Sequence, residues 1–270
     1  MLRILAAVSL LVTVACASGP AQPADVAAPA AAPAAPAPAT PPQGQADPRA
    51  AEVAERLLAA LGGREAWEST RFIRFVYNGR RTHVWDKHTG RHRVEGQTPE
   101  GKRFLVLHNV ATREGRAWLD GQELQGEEAK QLLDRAHAAW VNDTYWLLMP
   151  YKLRDPGVNL AYDGEETLDG QTYDKLLLTF QAVGLTPGDM YWAYVNRATG
   201  LMDRWAYLLE DQPRDASPTA WLWQGWQTYG RIKLAPTRAQ VGGERKIELR
   251  DIAVTDTLPD SVFTSPEPAP

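Results

Sequence analysis

The chain has 270 residues, of which 44% are hydrophobic and 23% charged, with a formal net charge of −4. Basic and acidic residues are interspersed, which excludes the concentrated positive footprint of a nucleic-acid binder. A single cysteine, Cys16, excludes an internal disulfide framework.

The first residues read as an export signal. Arg3 precedes an apolar run from Ile4 to Val12, too short to span a bilayer. The following Thr13-Val14-Ala15-Cys16 resembles the bacterial lipobox. By that resemblance residues 1–15 are a signal peptide and Cys16 is acylated as the mature N-terminus. Several acyl chains, at about 0.8 kcal/mol per buried CH₂, anchor a protein stably. The resemblance also gives Ala17 a meaning. An Asp there tends to retain such proteins at the inner membrane, so the expected address is the outer membrane, facing the periplasm. Residues 16–47 are mostly Ala and Pro and predict a disordered, extended tether. At ~3.1 Å per residue its roughly 28 extended residues reach on the order of 90 Å.

Residues 48–263 are long enough for one domain with a sizeable core. Asp47-Pro48 predicts the start of a helix, with Asp47 as cap and Pro48 in the first position. Ala51, Ala54, Leu57, Leu58 and Leu61 give it an apolar face, and Gly62-Gly63 ends it. Short strand-like runs follow, from "RFIRFVYN" to "TREGRAWLDGQEL". A second helix is expected from Gly126 to about Val141, with Leu132, Leu133, Ala136 and Trp140 on one face. Strands then resume until "RKIELRDIAVTD", and residues 264–270 are expected as a disordered tail.

The turns are explicit. Asp86-Lys-His-Thr-Gly90 and Asn196-Arg-Ala-Thr-Gly200 are nearly the same hairpin connection. Asp120-Gly121, Asp163-Gly164 and Asp169-Gly170 are Asp-Gly turn signals. Many hairpins and few helices predict a mainly β, α+β domain with an antiparallel sheet and helices over one face.

This order of elements carries a resemblance. "LGGREAW", then "W-D-x-x-T-G-R", then "Y-V-N-R-x-T-G-L-x-D-R-W", and finally a Trp-rich strand leading to "I-K-L-A-P-T-R" are similar to bacterial lipoproteins related to the outer-membrane lipoprotein-sorting superfamily. That superfamily includes the LolA and LolB carriers and the RseB-type envelope sensors. The resemblance implies a curved antiparallel half-barrel with helices across its concave face. It also implies an apolar cavity between them that accepts acyl chains.

All ten tryptophans lie beyond residue 47, and the densest apolar stretch is Tyr145–Tyr151. That stretch reads either as a two-faced core strand or as an extension of the second helix stopped by Pro150. Either way it joins the covering helix to the sheet. Trp146, Met149 and Tyr151 are therefore expected to face the cavity opposite Trp192, Trp205 and Trp223. Strand alternation puts Tyr191, Ala193 and Val195 on one face and Trp192 and Tyr194 on the other, while Trp221 and Trp223 share a face. Two readings compete with this one: the aromatic stripes are ordinary core, or exposed tryptophans stack on sugars, since peptidoglycan lies within reach of the tether.

Catalytic patterns are scarce. Ser69, Ser217, Ser261 and Ser265 sit in no G-x-S-x-G elbow. His83, His88 and His92 surround a turn crowded with Arg80, Arg81, Lys87, Arg91 and Arg93. That crowd disfavours a metal, and these histidines are expected to be solvated, as are Asp163, Glu165, Glu166 and Asp169. Asp134 and His137 read as a helix-surface salt bridge. The expectation is a non-catalytic binder with no cofactor and no metal, whose partners are a lipid or an acylated protein and the membrane. An envelope sensor or scaffold, a glycan-binding module and a cryptic hydrolase are the alternatives.

Overall fold

The structure, a computed structural model, describes residues 44–181 and 183–268. The expected signal peptide, Cys16 and most of the tether lie outside the described residues. Helix α1 (Pro48–Ala60) begins as the sequence predicts: the Asp47 carboxylate accepts from the Ala50 N–H at 2.7 Å, with Pro48 next. Its other oxygen accepts from the Tyr162 N–H at 2.6 Å, tying the cap to the sheet. After α2 (Arg64–Ser69) come β1 (Phe72–Tyr77), β2 (Arg81–Asp86), β3 (Arg91–Gln97), β4 (Arg103–Asn109), β5 (Gly115–Leu119) and β6 (Gln122–Glu123). Helix α3 (Gly126–Leu148) separates them from β7 (Val158–Leu168), β8 (Gln171–Phe180), β9 (Met190–Asn196), β10 (Met202–Leu208) and β11 (Thr219–Gln224). A separate ribbon, β12 (Gln227–Tyr229) with β13 (Ile232–Leu234), precedes β14 (Thr237–Gln240), β15 (Lys246–Thr255) and the short α4 (Ser261–Thr264).

Thirteen strands form one antiparallel sheet in the order β6-β5-β4-β3-β2-β1-β15-β14-β11-β10-β9-β8-β7. The first and last strands pair at its middle, and the edges β6 and β7 do not meet. The result is an open, curved half-barrel. Helix α1 and the C-terminal half of α3 pack on one face, where Val53, Leu57, Leu61, Leu147 and Met149 join Leu176, Leu178, Ala193 and Trp205 in the main core. Farther along the same face, α3 sets Ala136, Leu132 and Leu133 on Val94, Val106 and Ala117.

Buried Asp174 of β8 fixes α1 to the sheet. It accepts from Arg56 of α1, from Arg197 at 2.8 Å and from the Tyr162 hydroxyl at 2.9 Å. Burial pushes its carboxyl up, but these donors outweigh burial and hold it at about 2.

The twin hairpins are built alike. Gly90 N–H bonds to the Asp86 carbonyl and Gly200 N–H to the Asn196 carbonyl, while the Asp86 and Asn196 side chains accept from the next two residues but one. Both glycines have positive φ, 76° and 73°. Asp120-Gly121 and Asp169-Gly170 make the expected tight turns, with positive φ at both residues of each pair. Asp163-Gly164 does not turn the chain. It is a register shift inside β7, between Tyr162 and Glu165. The surrounding acids are solvent-accessible, as expected, and three of them also form surface pairs: Lys175 with Asp163 and Glu166, Arg197 with Glu165.

Two helix and tail expectations change. Helix α3 runs seven residues beyond Val141, because nothing in "VNDTYWLL" breaks a helix before Pro150, which sits in a short 3₁₀ turn, Met149–Tyr151. The extension reading of Tyr145–Tyr151 is the one that holds. The chain after Phe263, expected as a free tail, is held as far as Glu267. Arg93, almost fully buried, donates to the carbonyls of Val262, Ser265 and Glu267 at 2.8–3.2 Å. No helix among the described residues is long and apolar enough to cross a membrane.

Candidate ligand cavity

The extension of α3 creates the site. Val141, Asn142, Tyr145 and Trp146 face a cavity of about 520 Å³, a volume within the usual range for a ligand pocket. Its sheet wall comes from strand alternation. Trp205 and Tyr207 point inward from β10, and Tyr191, which pairs with Tyr207, points inward from β9. Phe180 ends β8, and residues 183–189 and 209–211 form the mouth. The rings meet edge-on or tilted. Trp146–Trp205 centroids are 4.9 Å apart, Phe180–Tyr191 5.1 Å, Tyr191–Trp205 5.2 Å and Tyr145–Tyr191 5.6 Å.

Two polar groups in this wall are buried without a partner among the described residues: the Tyr145 hydroxyl and the Trp205 indole N–H. Such groups are costly to bury unsatisfied. At the mouth stand Leu185 and Leu209, 53% and 38% exposed, two of the three exposed large hydrophobic side chains among the described residues. Asp189, buried there, accepts from the Thr186 and Tyr191 hydroxyls at 2.7 and 3.0 Å and from the Glu210 N–H at 2.9 Å, which shapes the rim.

Of the six residues expected to face a cavity, Trp146 and Trp205 line this one. Met149 is fully enclosed in the core because the 3₁₀ turn swings it beneath α1. Tyr151 is a clamp. Its hydroxyl donates to one of two carbonyls within reach, Leu61 at 2.9 Å and Lys233 at 2.7 Å, and its ring stacks on Trp67. Trp223 is buried under the guanidinium of Arg238, which stacks 3.4 Å from its ring centroid. Trp192 lies on the opposite face of the sheet with Tyr173 and Tyr194, its N–H donating to Asp163 at 3.0 Å. Alternation from Tyr191 already carried that information.

Arg238 is fully buried with no carboxylate partner. It donates to the carbonyls of Ala235, Thr237 and Trp146. The last lies in the final turn of α3, where a cation complements the helix dipole, so Arg238 fixes the end of the helix that carries Trp146.

Beneath α3 lies an array of buried imidazoles on three neighbouring strands: His83 and His92, which were expected to be solvated, and His108. Arg81 grips Asp143 of α3 with two bonds of 2.6 and 3.0 Å. Asp143 is 2.9 Å from His83 Nε2; His83 Nδ1 is 3.0 Å from His92 Nε2; His92 Nδ1 is 2.8 Å from His108 Nε2. The carboxylate fixes the proton on His83 Nε2, which makes Nδ1 an acceptor, and the same logic passes along the chain. It ends at His108 Nδ1, an acceptor without a partner among the described residues, beside buried His137 with ring centroids 6.2 Å apart. Asp134 pairs with Lys130 at 2.9 Å, not with His137. His88 alone of the hairpin set stays outside, against the Glu68 carbonyl. Each buried histidine shares a strand face with an apolar residue two positions away: Trp85, Val94 and Val106. That was the available signal. Among the described residues no group of three or more His, Cys, Asp or Glu side chains is arranged to hold a metal.

No protein-family model matches the chain, and no curated protein matches it. Among solved structures it is similar to a DUF1329-family protein from Desulfovibrio piger, with 12% identity and a TM-score of 0.43 over 79% of this chain and 96% of the other. It is also similar to an outer membrane lipoprotein-sorting protein domain from Vibrio parahaemolyticus, with 9% identity and a TM-score of 0.42 over 80% and 97% of the two chains. A LolA-superfamily protein from Nitrosomonas europaea gives 11%, 0.37, and 80% and 97%.

Proposed function

We propose that this protein is a non-catalytic envelope lipoprotein that holds an apolar ligand, a lipid or the acyl chain of an acylated protein, in the cavity between α3 and strands β8–β10. The observation that carries this reading is the cavity itself. Aromatic side chains from four elements converge on about 520 Å³ that they do not fill, and Leu185 and Leu209 extend the apolar path to the surface. An alkyl chain needs apolar area and few directed bonds, which is what this wall offers. The buried imidazoles do not argue for chemistry. Their hydrogen bonds go to one another and to Asp143, and they serve to hold α3 on the sheet.

A neutral alkyl probe is expected to quench tryptophan emission in a saturable, one-site titration, because Trp146 and Trp205 line the cavity. Val141→Phe should weaken the probe by filling the cavity at an overpacking cost of no more than about 1–3 kcal/mol. Unchanged binding in a folded Val141→Phe protein would place the probe elsewhere and end this reading.

Anchoring belongs to the same proposal. The Thr13–Cys16 stretch predicts that Cys16→Ser moves the protein from the membrane to the soluble periplasmic fraction. A variant that stays with the membrane, at the same apparent mass as wild type, would contradict it.

A further inference from the structure

The mouth of the cavity carries acids and no base. Asp189, Glu210 and Asp211 are its charged lining residues. Glu210 and Asp211 are exposed, on the same short segment as the exposed Leu209. The Glu210 carboxylate accepts from the Gly188 N–H at 2.9 Å, which turns it toward the facing loop of the mouth. Arg214, the base that reaches this loop, donates to the Gly188 carbonyl at 3.1 Å and is not part of the lining. Inside the acids stand the faces and edges of Trp146, Tyr191, Trp205 and Tyr207. Such rings attract a cation placed over their faces, and the attraction grows when water is excluded.

We infer that the ligand of this cavity is an amphiphile with a cationic head, of the ammonium or quaternary ammonium class, whose chain lies among the aromatic rings while its head sits at the Glu210–Asp211 rim. This inference rests on the cavity being a ligand site, as proposed above, and adds the head-group class. A fatty acid or other anionic amphiphile would bring its charge to the same rim against three acidic side chains, with no base to receive it.

The test is a matched series with one chain length, each below its micelle concentration: dodecyltrimethylammonium, 1-dodecanol and dodecanoate, titrated by tryptophan quenching and by calorimetry. At low salt the ammonium is expected to bind at least about tenfold tighter than dodecanoate, with dodecanol between them. The ratio should shrink in high salt, since the rim is exposed. It should shrink likewise in the Glu210→Gln/Asp211→Asn double variant, while dodecanol binds that variant as it binds wild type. If dodecanol binds but dodecanoate matches or exceeds the ammonium, the head-group inference is overturned and the cavity reading stands. If none of the three binds a folded protein, both fall.

Discussion

Asp143→Ala is expected to destabilise the domain by about 3–5 kcal/mol, the range for removing one partner of a buried ion pair. The carboxylate is fully buried on α3 and receives Arg81 and His83 together. Burial pushes its pKa up, but the hydrogen bonds and charges of His83 and Arg81 outweigh burial, and the net direction is down. Deleting it leaves the Arg81 guanidinium without its acid and His83 Nε2 without an acceptor. The next two imidazoles lose the group that fixes their tautomers. Against a total stability of ~5–15 kcal/mol for a typical domain, the loss is a large fraction. Asp143→Asn keeps the shape and one acceptor, so it should cost clearly less. Urea unfolding followed by tryptophan emission measures both. An Asp143→Ala midpoint equal to wild type would show that the array does not hold α3.

The second large effect is acid lability with an assigned window. Burial is the main reason the pKa of His108 is lowered from 6.5 to about 4, with repulsion from His137 and His83 adding to it. Burial likewise lowers His83, where Asp143 opposes it, and His137, and it lowers His92 well below its ordinary value. The native state keeps these imidazoles neutral, while the unfolded chain takes up protons below 6.5. Their contribution is therefore complete above pH 6.5 and is lost as the pH falls toward 4. For His108 alone, at about 1.36 kcal/mol per pH unit, the loss is on the order of 3 kcal/mol. The others add in the same direction but not independently, since the first proton repels the next. The carboxylates behave differently. Asp86 and Asp174 are held at about 2, so their contribution is present above 3.8 and fades only below it. Urea midpoints should thus decline from pH 7 to pH 4.5, before the carboxylates titrate, and less steeply in His108→Gln. A flat profile across that interval would refute the assignment.

What the sequence made legible was local. The Asp47 cap, the twin five-residue hairpins and the Asp-Gly turns each depend on residues within a few positions of one another, and each forms as read apart from Asp163-Gly164. Gly164 has positive φ, 92°, but there the conformation makes a bulge in a strand whose partner continues on both sides. What was not legible depends on register between distant strands. His83, His92 and His108 touch only because β2, β3 and β4 pair as they do, with His92 directly across from His108. The basic neighbours of His83 and His92 in the sequence suggested solvent, yet Arg81 is taken by Asp143 and Arg93 by the C-terminal segment. The cavity shows the same division. Trp146 and Trp205 were found through their density of aromatic neighbours. Tyr145, Tyr191 and Tyr207 were passed over in favour of tryptophans that pack as core. Tryptophan count marks burial, whereas the cavity lies between the extended part of α3 and the inward-facing side chains of β8–β10.

The most direct test of the ligand cavity is photo-crosslinking with a neutral alkyl diazirine of about twelve carbons, followed by peptide mapping. Labels confined to residues 141–146, Phe180, 183–191 and 205–211, and lost on competition with unlabelled alcohol, are the expected result. Labels centred on the opposite face, around Tyr173, Trp192 and Tyr194, or scattered without competition, would contradict it.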